Sequence, residues 1–116
     1  MKALELFSGC GGAALGLSRA GWEHLACVEW VEAAAKTLEA ADLPAIHGDV
    51  RTVDYQPFVG RTDLLWASPP CQAGSTAGKR RGAQDERNGW PWTMDVVDVV
   101  QPCLLYTSPS PRDGTK

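Results

Sequence analysis

Residues 2–7 (Lys-Ala-Leu-Glu-Leu-Phe) alternate apolar and polar positions and run into a glycine cluster. That pattern predicts a short strand followed by a turn. Ala13, Leu15, Leu17 and Ala20 then suit a short helix over 12–20, stopped at Gly21. Residues 24–29 read as a second strand, apolar between polar ends. Residues 31–41 are rich in helix formers and set Val31, Ala34, Ala35, Leu38 and Ala41 on one face. Pro44 ends that helix, and 44–47 is a third short strand. Residues 63–67 (Asp-Leu-Leu-Trp-Ala) make a fourth, apolar enough for burial on both faces. A polar, glycine-rich loop covers 68–90, and Met94, Val97 and Val100 mark a last helix over 92–100, ended by Pro102. Strand–helix alternation of this kind predicts an α/β fold: a parallel sheet of about four strands with flanking helices. Residues 1–102 carry that pattern. Residues 103–116 read as an irregular tail, because Ser108-Pro109-Ser110-Pro111-Arg112-Asp113-Gly114 has no periodicity and no core residue follows Tyr106.

The chain has 116 residues, enough for one domain and too few for two ordinary ones. Its 44% hydrophobic and 22% charged residues exclude a disordered or fibrous class. No apolar run approaches the ~18 residues of a membrane helix, and Glu5 interrupts the first apolar stretch, unlike a secretory signal. Cys10, Cys27, Cys71 and Cys103 stand far apart, with neither a CxxC pair nor a disulfide-dense pattern. A reducing, cytoplasmic setting is therefore expected, with no membrane and no metal as partner. The net charge of −3 argues against a generally basic nucleic-acid coat. The balance is uneven, however: Lys79, Arg80, Arg81 and Arg87 fall inside nine positions. A bound polyanion would be held there; otherwise the run is a solvated face.

Candidate chemistry gathers where strands end. The turn Phe7-Ser8-Gly9-Cys10-Gly11-Gly12 lets a backbone approach a ligand closely and leads into a helix N-terminus. It is equally readable as a plain tight turn. Glu29 closes the second strand, where an acid can accept hydrogen bonds from ribose hydroxyls, and Asp49 follows the third strand towards the same edge. Each acid taken singly also reads as a solvated loop residue. Ser68-Pro69-Pro70-Cys71-Gln72 is the sharpest feature, since two prolines fix the backbone that presents a thiol. Inert packing explains Cys27 and Cys103 well but fits Cys71 poorly. Of the five tryptophans, Trp66 is expected in the core and Trp22 and Trp30 as caps on the sheet, with Trp90 and Trp92 packing near the catalytic loop.

Leu6-Phe7-Ser8-Gly9-Cys10-Gly11-Gly12 with Leu15-Gly16-Leu17, then Glu29, Gly48-Asp49-Val50 and Pro69-Pro70-Cys71-Gln72, resemble the ordered motifs of DNA cytosine-5 methyltransferases. Ser75-Thr76-Ala77-Gly78-Lys79-Arg80 and Asp85-Glu86-Arg87-Asn88 resemble the family's loop after the nucleophile. The resemblance spans roughly residues 3–102. It implies a Rossmann-like fold that uses S-adenosylmethionine, in a bacterial or phage-like restriction-modification setting. Phe7 would stack on adenine, Gly9, Gly11, Gly12 and Pro70 would line the cofactor, Glu29 would bind the ribose and Asp49 the adenine amino group. Cys71 would be the nucleophile that adds to C6 of a cytosine flipped out of double-stranded DNA. Gln72, Ser75, Lys79, Arg80, Arg81 and Arg87 would contact the DNA. A monomer is expected.

This sequence also departs from the family's pattern. Glu5 stands where the family has Asp, and Gly74 replaces a Phe of the loop. After Pro102 there is no Glu-Asn-Val strand, whose glutamate would contact the cytosine, and no recognition region. The resemblance therefore implies the amino-terminal part of a methyltransferase, truncated or misjoined near residue 103 and inactive alone. Three alternatives stay open: a catalytically silent S-adenosylmethionine-binding fragment, a relative acting on tRNA, and an inert translation product of a broken gene.

Overall fold

In the computed structural model, residues 1–69 and 89–107 are described here. Five strands form one parallel sheet: β1 (Lys2–Leu6), β2 (Glu23–Glu29), β3 (Ala45–His47), β4 (Leu64–Ala67) and β5 (Leu104–Thr107), in the spatial order β3-β2-β1-β4-β5. Helices α1 (Gly12–Arg19), α2 (Glu32–Ala40) and α3 (Trp90–Val100) and a 3-10 turn at Gln56–Phe58 complete the described elements. β1 lies at the centre, paired with β2 on one side and β4 on the other. The order reverses between β1 and β4, which is where open α/β sheets leave a crevice beyond the carboxyl ends of the strands.

The two faces of the sheet carry different cores. Leu4 and Leu6 of β1, Val28 of β2 and Leu65 of β4 join Val96 and Val100 of α3 and Phe58 of the 3-10 turn in the larger cluster. On the opposite face, Ala14 of α1 and Leu38 of α2 cover Cys27, while Leu17 packs with Ala3, Leu64, Trp22 and Trp66. A central strand buried on both sides reads as a continuous apolar run, and Ala3, Leu4, Leu6, Leu65 and Ala67 are all fully buried. Glu5 is the exception in β1, a carboxylate only 1% exposed.

Several sequence expectations need correction. The sheet has five strands rather than four, because Leu104–Thr107 pairs in register with β4 instead of continuing as an irregular tail. That strand is poorly covered: Leu104, Leu105 and Tyr106 are 54%, 43% and 43% exposed, so composition alone did not reveal it. In α1 the buried residues are Ala14 and Leu17, with Leu15 exposed, and in α2 Val31 and Ala41 lie outside the buried stripe. Helix α3 begins at Trp90 and buries Thr93, Val96 and Val100, leaving Met94 in solvent. Trp66 is half-buried and stacks on Tyr106 at 4.0 Å, Trp30 is exposed, and Cys103 lies on the surface.

Leu65 has its side chain wholly inside the larger cluster. Leu65→Ala should lower unfolding free energy by about 2–5 kcal/mol, because truncation leaves a cavity in addition to the lost transfer energy. A urea titration followed by tryptophan fluorescence measures it; an unchanged midpoint would place this face outside the cooperative core.

Candidate functional site

The carboxyl ends of β1, β2 and β3 converge on one edge. β1 gives way to a turn in which Phe7, Gly9 and Gly11 all have positive φ, at 55°, 61° and 100°. For a bulky aromatic this left-handed backbone is strained, and such strain persists only where the surroundings over-determine it. Here the half-buried Phe7 side chain packs on the larger core cluster, and the Ser8 N–H donates to the Val28 carbonyl at 3.1 Å. Gly11 meets a tight neighbour, since a Cβ there would lie 3.0 Å from Leu38 Cδ2. Around Gly9 and Gly12 there is open space.

Glu29 binds this turn to the next strand. Its Oε1 accepts from the Gly9 N–H at 2.6 Å, and its Oε2 accepts from the Val31 N–H at 2.8 Å, just before α2. The side chain is nearly buried, so these charge-assisted bonds replace much of its lost hydration. Each carboxylate oxygen keeps a further lone pair. The Gly48 N–H donates to the Glu29 carbonyl at 3.0 Å, which brings Asp49 to the same edge.

Asp49 is already engaged. Its Oδ1 accepts from the Arg51 N–H at 2.8 Å, and its Oδ2 accepts from Arg51 Nη2 at 2.8 Å, with Nε 3.1 Å from both oxygens. Hydrogen bonding by the Arg51 side chain holds the Asp49 carboxyl below the usual carboxylate range. The guanidinium lies 4.4 Å from the centroid of the Trp92 ring, a cation–π contact that links this edge to α3. Val50, Arg51, Tyr55, Trp92, Val96 and Val99 help line a cleft of about 290 Å³ beside it.

The structure thus brings Phe7, Gly9, Gly11, Gly12, Glu29 and Asp49 to one edge of the sheet. β4 ends beside the same turn, since Leu6 pairs with Ala67 and the Ser68 N–H donates to the Leu6 carbonyl at 3.3 Å. Pro70, Cys71, Gln72, Ser75, Lys79, Arg80, Arg81 and Arg87 lie outside the described residues. Sequence reasoning missed Arg51 and placed Trp92 near the catalytic loop without its contact to Arg51. Arg51 had a usable signal, its place two residues after Asp49, but its stacking on Trp92 depends on an element 41 positions away in the chain.

The profile of the C-5 cytosine-specific DNA methylase family matches residues 1–103. The chain belongs to that family. The chain is 40% identical over 101 residues to the type II methyltransferase M.NgoMIV of Neisseria gonorrhoeae, covering 85% of the chain and 32% of that relative. It is 43% identical over 86 residues to M.Eco47II of Escherichia coli, covering 72% and 21% respectively. The chain therefore spans about a third or less of these relatives' length. Its fold matches the crystal structure of a DNA modification methyltransferase encoded within an E. coli prophage, with a TM-score of 0.67 at 24% identity over 95% of this chain and 32% of that one. That likeness agrees with the expected Rossmann-like methyltransferase fold. No helix among the described residues is long and apolar enough to cross a membrane.

Because Arg51 lowers the folded-state pKa of Asp49, the ion pair contributes stability above the unfolded carboxyl pKa of about 3.9 and loses it as pH falls through the folded value. In an NMR titration the Asp49 carboxyl should have its midpoint below that of a free aspartate, and Arg51→Ala should move it upwards. An unmoved midpoint would mean the pair is absent in solution.

Proposed function

We propose that this chain is the amino-terminal part of a DNA cytosine-5 methyltransferase, and that it binds S-adenosylmethionine at the carboxyl edge of the sheet. The observation that carries the reading is Glu29: a nearly buried carboxylate, anchored by the Gly9 and Val31 amides, beside a glycine turn with open space. Its spare lone pairs suit the two ribose hydroxyls, because a vicinal diol offers two donors at the spacing of one carboxylate. The open sides of Gly9 and Gly12 admit the methionine portion, and Phe7 offers an aromatic face to adenine. Asp49 accepts from the adenine amino group while Arg51 holds its carboxylate in place.

The cofactor supplies an electrophilic methyl group on a sulfonium. Within a whole enzyme this chain would supply the nucleophile, the Cys71 thiolate, which would add to C6 of a flipped-out cytosine in double-stranded DNA and make C5 nucleophilic. C5 would then be the atom that receives the methyl group; loss of its proton to a base and cleavage of the C6–sulfur bond would release the Cys71 thiolate. Pro70 and Gln72 flank that thiol, and Ser75, Lys79, Arg80, Arg81 and Arg87 contact the base and phosphates, which makes binding salt-dependent. On its own this chain binds cofactor without turning over. The chain spans about a third or less of the first relatives it matches, which supports reading it as part of such an enzyme.

Calorimetric titration of the chain with S-adenosylmethionine should show binding that Glu29→Ala weakens at least about tenfold, since hydrogen bonds to a charged group contribute about 1.5–3 kcal/mol. Equal affinity in the variant would remove Glu29 from the site. Duplex DNA containing 5-fluorocytosine, incubated with cofactor, should give no covalent adduct with this chain. An adduct lost in Cys71→Ser would instead make the chain a complete catalyst. Long-read sequencing of the source DNA across codon 103 tests whether the chain is part of a longer enzyme, the expected result being a frame that continues into a Glu-Asn-Val strand.

A further inference from the structure

A second polar cluster lies beneath α1, on the face of the sheet away from the larger core. Glu5 of β1 stands in register with Cys27 of β2 and Trp66 of β4. The His24 Nε2 atom is 3.0 Å from Glu5 Oε2, with the two side chains 2% and 1% exposed. One donor atom each from Glu5, His24 and Cys27 lies within 4.8 Å of the others.

This meeting depends on a backbone irregularity. His24 and Cys27 are three residues apart, so a regular strand would point them to opposite faces. The register of β2 against β1 shifts here: Ala3 pairs with His24, but Leu4 pairs with Ala26, leaving Leu25 as the extra residue. The bulge brings His24 onto the face of Glu5 and Cys27, a use of bulges that recurs beside functional sites.

The cluster is also incompletely satisfied. Glu5 Oε1 and His24 Nδ1 are buried without a hydrogen-bond partner, as is Trp66 Nε1, and the buried Ser8 hydroxyl has no oxygen or nitrogen partner. Half-paired polar atoms in a buried site are costly, and native proteins usually satisfy them with protein, water or an ion. Burial pushes the Cys27 thiol up to about 12, with the Glu5 carboxylate adding to the effect and the nearby Ser8 hydroxyl opposing it.

We infer that Glu5, His24 and Cys27 form a buried three-donor site for one borderline-soft divalent cation of the zinc class. A carboxylate, an imidazole and a thiolate are the donors such an ion takes, whereas calcium and magnesium require an oxygen shell. Binding replaces the thiol proton: the S–H bond breaks, a sulfur–metal bond forms and the proton leaves to solvent. Two negative ligands, one neutral imidazole and a divalent ion sum to zero charge, which is what a buried site favours. The donor atoms would have to close on the ion, because bonds of about 2.0–2.3 Å bring tetrahedral donors nearer to one another than 4.8 Å. A water or the neighbouring Ser8 hydroxyl completes the tetrahedron. Ser8 belongs to the glycine turn, so the ion would brace the sheet directly beneath that turn.

The test is titration of the full chain, stripped of metal by a chelator, with Co²⁺ as the probe. The expected result is one ion per chain, with tetrahedral ligand-field bands and a thiolate-to-cobalt charge-transfer band that Zn²⁺ abolishes. Cys27→Ala should lose the charge-transfer band, while Cys10→Ala, Cys71→Ser and Cys103→Ala should keep it. No band in the wild type, or a band that survives Cys27→Ala, overturns the site. Should Cys27→Ala fail to fold, X-ray absorption of the zinc-loaded wild type decides. One sulfur at about 2.3 Å with nitrogen and oxygen at about 2.0–2.2 Å upholds the site. A shell of nitrogen and oxygen alone, or of several sulfurs, refutes it.

Discussion

A nearly buried carboxylate must find hydrogen bonds inside the protein, and for Glu29 two of them come from backbone amides that lie on either side of it in sequence. That requirement organises the ligand-facing edge of the sheet. Meeting it bends the Phe7–Gly12 turn back over β2, which in turn demands positive φ at Phe7, Gly9 and Gly11. It also fixes the chain where α2 begins and, through the Glu29 carbonyl, the strand end that carries Asp49. The open space at Gly9 and Gly12 is the remainder left once these constraints are met.

Much of this was legible in the sequence because parallel sheets announce themselves by apolar runs alternating with helix-forming stretches. β1 to β4 and all three helices lie where periodicity places them, and the acids that close β2 and follow β3 were identifiable from position alone. Which residues of each helix turn inwards was harder to see. Leu15 and Met94 are as apolar as their buried neighbours, and only the packing of α1 and α3 against the sheet leaves them in solvent. Short amphipathic helices over a small sheet have a narrow buried stripe, and a one-residue error in phase moves it.

Two features were illegible for a different reason. β5 has no alternation to detect, since its apolar residues are about half exposed and its strand state follows from pairing with β4. The Glu5–His24–Cys27 cluster joins residues 19 and 22 positions apart through a strand pairing and a bulge, so no local motif marks it. In both cases the information sits in contacts between strands distant along the chain.

The bulge at Leu25 has a consequence for how the sheet can vary. It divides β2 into two stretches of opposite phase, so the strand cannot slide along β1 as a rigid unit. A one-residue slip would push Cys27 and Glu29 into the oily layer shared by Leu4, Leu6 and Val96, and would carry Ala26 and Val28 over to the carboxylate of Glu5. Loss of Leu25 would remove the extra residue and leave His24 and Cys27 two positions apart in a regular strand, still on the face of Glu5. The strand is keyed to its neighbour like a notched shaft, and the notch lies three residues before Val28, whose carbonyl seats the first amide of the turn.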